Sequence, residues 1–213
     1  KDRPRHGIGM PKAVPPAEME AMLYADAKVG DDALVLLANA RAQVDLRALF
    51  GPQHGILGQT QDNMIEWRGF TDPQLGIPVH SLYGEHRRPT PAMLDGLDTL
   101  VIDLQDVGAR YYTFVWTLLL CLEACAGQGK RVVVLDRPNP LGGVAVEGNV
   151  LDPAYRSFVG LAPIPMRHGL TMGALAGFCR AWAGLDVELE VVEMEGWRRA
   201  LDFEATGLPW VLP

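Results

Sequence analysis

The sequence predicts an α/β fold, a mostly parallel sheet with helices on both faces. Three observations carry that expectation. Leu100 to Leu104 and Val132 to Leu135 are short Val/Ile/Leu runs, the first interrupted only by Asp103. Strands of this kind are buried on both faces, which marks a parallel sheet covered by helices. The segment between them reads as a polar turn, Val107 to Arg110, followed by a helix of about four turns. Together they form a strand–helix–strand unit. Both strands run out into acid and amide groups, Gln105 and Asp106 after the first, Asp136 and Asn139 after the second. In parallel sheets ligands sit beyond the carboxyl ends of the strands, so function is sought in these loops.

The remaining elements follow in chain order. Residues 1–16 hold four prolines and no periodicity, so residues 1–30 read as an irregular N-terminal segment in which 17–28 can form a helix through Met19, Met22 and Leu23. Residues 31–43 form a firmer helix, capped by Asp31 or Asp32, with Leu34, Leu37 and Ala38 on one face. A strand over 45–50 ends in Gly51-Pro52-Gln53-His54-Gly55, and residues 51–76 read as one long polar loop, the kind that is functional or mobile. A strand over 78–83 leads into Gly84-Glu85-His86-Arg87-Arg88-Pro89. Thr90 caps a short helix over 91–97 with Pro91 at its first position. After the central unit a Gly-rich loop reaches Glu147, an extended piece covers 163–167, a helix capped by Thr171 covers 171–183, and the last strand covers 187–192. The main domain is placed at 31–200, and 201–213 reads as the start of a linker into a further domain.

Composition excludes several function classes. The chain has 213 residues, 48% apolar and 21% charged, which describes an ordinary globular protein. Its net charge of −7, with no basic stripe beyond Arg87-Arg88, argues against nucleic acid as a partner. Three cysteines, Cys121, Cys125 and Cys179, stand among apolar residues and read as free thiols. No metal-type Cys/His spacing occurs, and the apolar run Leu118 to Leu122 is too short to insert across a bilayer. No leader is visible after Lys1, and the compartment and oligomeric state stay open.

The sheet edge collects Gln53, His54, Glu85, His86, Asp106, Arg110, Asp136 and Asn139, with Glu147 close behind. Several carboxyl groups with His and Arg between them suit glycoside hydrolysis, which needs one ionised and one protonated carboxyl at a fixed separation. Each residue also has a plainer reading. Asp103 is taken as a paired structural acid. Asp106 and Arg110 can pair with each other at the helix start. Asp136-Arg137-Pro138-Asn139-Pro140 can be a rigid turn. His80, inside a strand, is taken as packed. Glu85 and Glu147 have no such folding rationale and are the acidic candidates. The Gly142-Gly143 stretch lacks Gly-x-Gly-x-x-Gly spacing, which argues against a dinucleotide site, and no Gly-x-Ser-x-Gly elbow exists.

Eight motifs occur in a fixed order: Gly51-Pro52-Gln53-His54-Gly55, Ser81-Leu82-Tyr83-Gly84-Glu85, Arg88-Pro89-Thr90-Pro91, Asp103 to Thr113, Leu135 to Pro140, Val146-Glu147-Gly148, Arg156 to Gly160 and Pro165 to Thr171. From about residue 45 onward they resemble the DUF1343 family, which includes the exo-acting β-N-acetylmuramidases of the NamZ type in glycoside hydrolase family 171. The resemblance implies a Rossmann-like domain that binds no nucleotide, a second C-terminal domain, and an active cleft between them. It implies a small sugar substrate, with N-acetylmuramic acid released from non-reducing ends of peptidoglycan fragments, and no metal or other cofactor. Matching positions put Glu85 and Glu147 in the acidic roles and His54, Asp106, Arg110, Asn139, Arg167 and His168 along the cleft. Three departures stand out. Gln53 replaces a Glu that many members carry before His-Gly. The region before residue 31 lacks the usual first strand. The C-terminal domain is not in the 213 residues. The competing reading is a carbohydrate-binding protein that kept the cleft without the chemistry.

Overall fold

The computed structural model describes residues 21–25, 45–56, 65–208 and 210. Nine strands and two helices are defined among them: β1 (Ala21–Ala25), β2 (Ala48–Gly51), β3 (Phe70–Thr71), β4 (Pro78–Ser81), β5 (Thr99–Leu104), α1 (Phe114–Ala126), β6 (Arg131–Leu135), β7 (Glu147–Val150), β8 (Pro165–Arg167), α2 (Met172–Trp182) and β9 (Leu189–Val192). Seven strands form one sheet in the order β3-β4-β2-β1-β5-β6-β9. All neighbours are parallel except the edge pair β3–β4. Chain direction across the sheet reverses between β1 and β5, so a topological switch point lies there, and the crevice beyond it is where this architecture places ligands.

The core follows the period-two alternation of the strands. Leu100, Ile102 and Leu104 of β5, with Val132 and Val134 of β6, meet the buried faces of α1 and α2. Val101 and Val133 point the other way and join Leu49, Val79, Trp67, Leu75 and Tyr83. Ten of the thirteen α1 residues are buried, since the helix sits between the sheet and α2. The three cysteines are free and buried. Burial pushes the Cys125 and Cys179 thiols up to about 12, so they behave as packing groups.

The central unit matches expectation to within a residue at its strand ends, and the caps anticipated at Thr90 and Thr171 are present. Thr171 Oγ1 accepts from the Ala174 N–H at 3.2 Å. Thr90 Oγ1 accepts from the Met93 N–H at 3.3 Å, although the element it caps is a single 3-10 turn, Pro91–Met93, closed by the Leu94 N–H on the Pro91 carbonyl at 3.2 Å, and not a helix to residue 97.

The N-terminal expectation is corrected. Where a helix over 17–28 was expected, Ala21–Ala25 is β1, and it lies at the centre of the sheet. It pairs in parallel with β2 (Ala21 beside Ala48) and with β5 (Leu23 beside Ile102). The first strand therefore is not missing. A five-residue apolar run suits a buried strand and a helix segment equally, and pairing with partners distant in sequence decided it. The helix expected over 31–43 lies outside the described residues. The loop expected over 51–76 is more structured than anticipated. Trp67 is buried, donates its Nε1–H to the Pro52 carbonyl at 3.0 Å and precedes the edge strand β3. The Gly-rich approach to Glu147 ends in β7, which pairs antiparallel with β8 as a separate ribbon.

Candidate functional site

The loop after β5 builds the first half of the site. Asp106 is buried, and its Oδ2 accepts the Gly108 N–H at 2.7 Å. That close turn is possible because Gly108 adopts φ 82°, a left-handed conformation that favours glycine. His168 Nε2 lies 3.1 Å from the same oxygen, with both side chains buried. The Leu170 N–H donates to His168 Nδ1 at 3.2 Å, which leaves the ring proton on Nε2, facing Asp106. Among the described residues Asp106 Oδ1 has no hydrogen-bond partner, and the His168 Nε2 contact is close without being aligned as a hydrogen bond.

Arg110 does not pair with Asp106, contrary to the plainer expectation. Its Nη1 donates to the carbonyls of Asn149 at 2.7 Å and Ile164 at 2.8 Å. Its backbone N–H donates to Met166 and its carbonyl accepts from the Trp116 indole. Arg110 thereby fastens the β7–β8 ribbon to the start of α1. The two groups part because the ribbon brings each a better partner, His168 for the acid and carbonyls for the guanidinium.

The loop after β6 completes this block. Asp136 caps α2, accepting from the Gly173 N–H at 2.7 Å and from the Thr171 hydroxyl at 3.0 Å. Burial raises its carboxyl above the ordinary value despite these bonds. Asn139 Oδ1 accepts from the Leu141 N–H and its Nδ2 donates to the Leu170 carbonyl, both at 2.9 Å. This is the Asx-turn geometry of a rigid loop. Asp103 is held by the Arg137 guanidinium, with Nη2 at 2.9 Å from Oδ2, as a structural acid would be. Glu147 opens β7, is exposed, and takes Arg167 Nη1 at 2.9 Å. Arg167 also donates to the Leu141 carbonyl.

The loops after β2 and β4 make the other half. His54 is the non-glycine residue with positive φ, 73°, among the described residues. Such backbone strain concentrates at functional sites. Its ring lies stacked 6.1 Å from Tyr112. Burial raises the Tyr112 phenol, and the negative charge of Asp106 adds to the effect. Gln53 is buried and its Oε1 accepts from the Thr113 hydroxyl at 2.7 Å. Glu85 is 89% exposed, with His86 Nε2 at 3.8 Å. It lines a half-open cavity of about 730 Å³ together with Glu66, Arg68, His80, Ser81 and His86. His80 is only half-buried; it packs 5.1 Å from Phe50, and burial lowers its pKa.

The fold thus gathers Asp106, Arg110, Asn139, Glu147, Arg167 and His168 around the β7–β8 ribbon, with His54 set against Tyr112. Glu85 stands on the separate β4 loop. Phe158, from the segment between β7 and β8, spans towards it, 5.9 Å from Tyr83, with the Arg87 guanidinium over both rings. Sequence reading missed Tyr112, Thr113 and Arg68 as neighbours of the site. Tyr112 and Thr113 stood inside a quoted motif; Arg68 carried no signal. Among the described residues no group of three or more His, Cys, Asp or Glu is arranged to hold a metal ion, and no helix is long and apolar enough to cross a membrane.

A family model described as "Exo-beta-N-acetylmuramidase NamZ, N-terminal" matches residues 22–213. The chain belongs to this family. The match begins within β1, so the strand absent from the sequence reading is part of the NamZ N-terminal unit. The peptidoglycan beta-N-acetylmuramidase NamZ of Bacillus subtilis is 48% identical over 170 residues, covering 80% of this chain and 41% of that protein. A DUF1343 family protein from Bacteroides fragilis superposes with a TM-score of 0.79 at 40% identity, over 92% of this chain and 50% of its own. A second DUF1343 protein from the same species gives 0.70 at 30% identity, over 86% and 49%. The chain therefore spans about half the length of these relatives.

Proposed function

We propose that this chain is the N-terminal part of a glycosidase that releases N-acetylmuramic acid from non-reducing ends of peptidoglycan fragments. The observation that carries the reading is the NamZ family match, which runs through every loop at the carboxyl edge of the sheet. In this reading one α/β domain takes in β1 and runs to about residue 200, so the start expected at residue 31 moves back to include Ala21–Ala25, and 201–213 lead towards the second half found in longer relatives. Glu85 and Glu147 supply the paired carboxyl groups. Glu85 stands exposed over a cavity, and Glu147, also exposed, is oriented by Arg167. His54, Asp106, Arg110, Asn139, Arg167 and His168 shape the floor. Arg110 and Asn139 act by holding the ribbon and the β6 loop, since their side-chain groups already bind backbone. The separation of the two reacting carboxyls in the sugar complex sets the stereochemistry, about 5–5.5 Å for retention and 6.5–9.5 Å for inversion.

The test is release of N-acetylmuramic acid from a synthetic muramic-acid β-glycoside by the full-length protein. Glu85→Gln and Glu147→Gln nearly keep shape while removing a proton donor or acceptor. Each is expected to lower turnover by about 10²–10⁴-fold with sugar binding retained. Unchanged turnover in both removes them from the chemistry. One observation favours a second reading, a carbohydrate-binding protein without turnover. Gln53, at a position where the family resemblance implies Glu, is buried and bound to Thr113. Sugar binding without release by the wild-type protein, restored by Gln53→Glu, selects that reading.

A further inference from the structure

The cavity beyond β4 carries one cation, Arg68, that no acid among the described residues neutralises. Among the residues around it, Glu66 is paired with Arg87 at 2.8 Å. Arg87 also donates to the Gly84 carbonyl and lies over the Tyr83 ring. Glu85 and His86 face each other. His80 is kept towards its neutral form by burial. Arg68 is exposed on the cavity wall and has no hydrogen bond or ion pair among the described residues. Its place is fixed by its neighbours. Trp67 is anchored by its indole to Pro52 and by its backbone N–H to the Tyr83 carbonyl at 2.9 Å. Gly69 follows with no room for a side chain, since a Cβ there would meet the Val79 carbonyl at 2.6 Å. The guanidinium thus projects from a held backbone onto the wall that also bears Glu85.

We propose that Arg68 is a specificity residue that binds the lactyl carboxylate of a muramic-acid sugar. The inference rests on the carbohydrate reading above and goes beyond it by naming what selects the sugar. N-acetylmuramic acid differs from N-acetylglucosamine by a lactyl ether that ends in a carboxylate. A site that separates the two needs a cation at that substituent. A planar guanidinium meets a carboxylate through two parallel N–H donors, which fixes geometry as well as charge. Arg68 is the cavity cation that no acid or carbonyl among the described residues engages. Discrimination by a group engaged only in the bound state is the arrangement that rejects an analogue lacking the partner.

The experiment measures, by calorimetry on the full-length protein, binding of N-acetylmuramic acid, its lactyl methyl ester and N-acetylglucosamine. Arg68→Gln is compared with the wild type and with Arg68→Lys. The expected result is a Kd for N-acetylmuramic acid weakened about 10-fold or more in Arg68→Gln, as fits the loss of a charge-assisted pair. The ester Kd stays unchanged, and Arg68→Lys recovers part of the loss. Thermal unfolding should be unaltered, since Arg68 holds no partner among the described residues. Equal weakening for acid and ester, or none for either, overturns the proposal while leaving the carbohydrate reading intact. Wild-type protein that binds the two sugars equally has the same consequence. Wild-type protein that binds none of the three overturns the carbohydrate reading, and this inference with it.

Discussion

The loops after β5 and β6 differ sharply from the loop after β4. At the first pair, Asp106, Arg110, Asp136 and Asn139 are all buried, and each binds backbone N–H or carbonyl groups. At the second, Glu85, His86 and Arg68 face a cavity with few protein contacts. The first region is a floor whose polar groups are needed to fold it. The second is a rim whose polar groups are free to meet a ligand. A buried polar group left without a partner is costly, so heavy engagement marks a positioning role and light engagement at a cavity marks a binding role. Glu147 stands between the two, on the ribbon that the floor holds but exposed like the rim.

The contrast breaks most easily at the rim acids. Their replacement by Gln is expected to cost turnover, as above, with unfolding temperature unchanged; a matching loss of stability would make Glu85 or Glu147 a floor residue. Next in size, Asp136→Ala strips the cap from α2 and leaves the Gly173 N–H and the Thr171 hydroxyl without their acceptor. It should destabilise by about 3 kcal/mol in denaturant unfolding. Asp136→Asn sharpens the point through pH. The folded carboxyl titrates above its ordinary 3.8 because of burial. The native state therefore binds more protons than the unfolded one in that window, and wild-type stability falls as pH rises through it. The deficit of Asp136→Asn should be smaller at neutral pH than below 3.8.

Gly108→Ala is expected to cost about 2 kcal/mol. The backbone there is left-handed, and a Cβ would collide with Asn139 Oδ1 and come within 2.9 Å of Leu141 Cγ. Loss of sugar binding should accompany it, because the same turn orients Asp106. The smallest effect belongs to His80. Burial lowers its folded pKa from 6.5, so its contribution is fully present above 6.5 and is lost as pH falls towards the folded value. His80→Gln should flatten that acid-side slope and leave neutral stability near wild type. A steep residual slope would assign the acid sensitivity to another group.

Much of the floor was legible in the chain. The apolar runs of β5 and β6 named buried parallel strands, and the position after each named the loops that matter. Asp103 was read as a structural acid and proves paired with Arg137. A rigid turn was one of two readings of the Pro-Asn stretch, and Asn139 closes such a turn. The misreadings have physical causes. β1 exists through partners distant in sequence, β3 is a two-residue edge strand too short to carry a pattern, and of the β7–β8 ribbon only the extended piece at 163–167 was announced locally. For Arg110 the sequence offered a pairing with its near neighbour Asp106 or a place on the substrate, whereas the ribbon supplied carbonyls from residues 149 and 164. Arg68 bears no motif at all; only the walls around it make its charge stand out.

By itself the sequence determined the fold class, the caps of two elements and the family, because these rest on short-range periodicity, local hydrogen bonding and ordered motifs. Tertiary structure alone decided that Ala21–Ala25 is the central strand, that Asp106 meets His168, and that one arginine on the cavity wall has no partner among the described residues. Those outcomes depend on which distant groups meet when the apolar faces are buried, and burial is non-directional until pairing and packing fix the register.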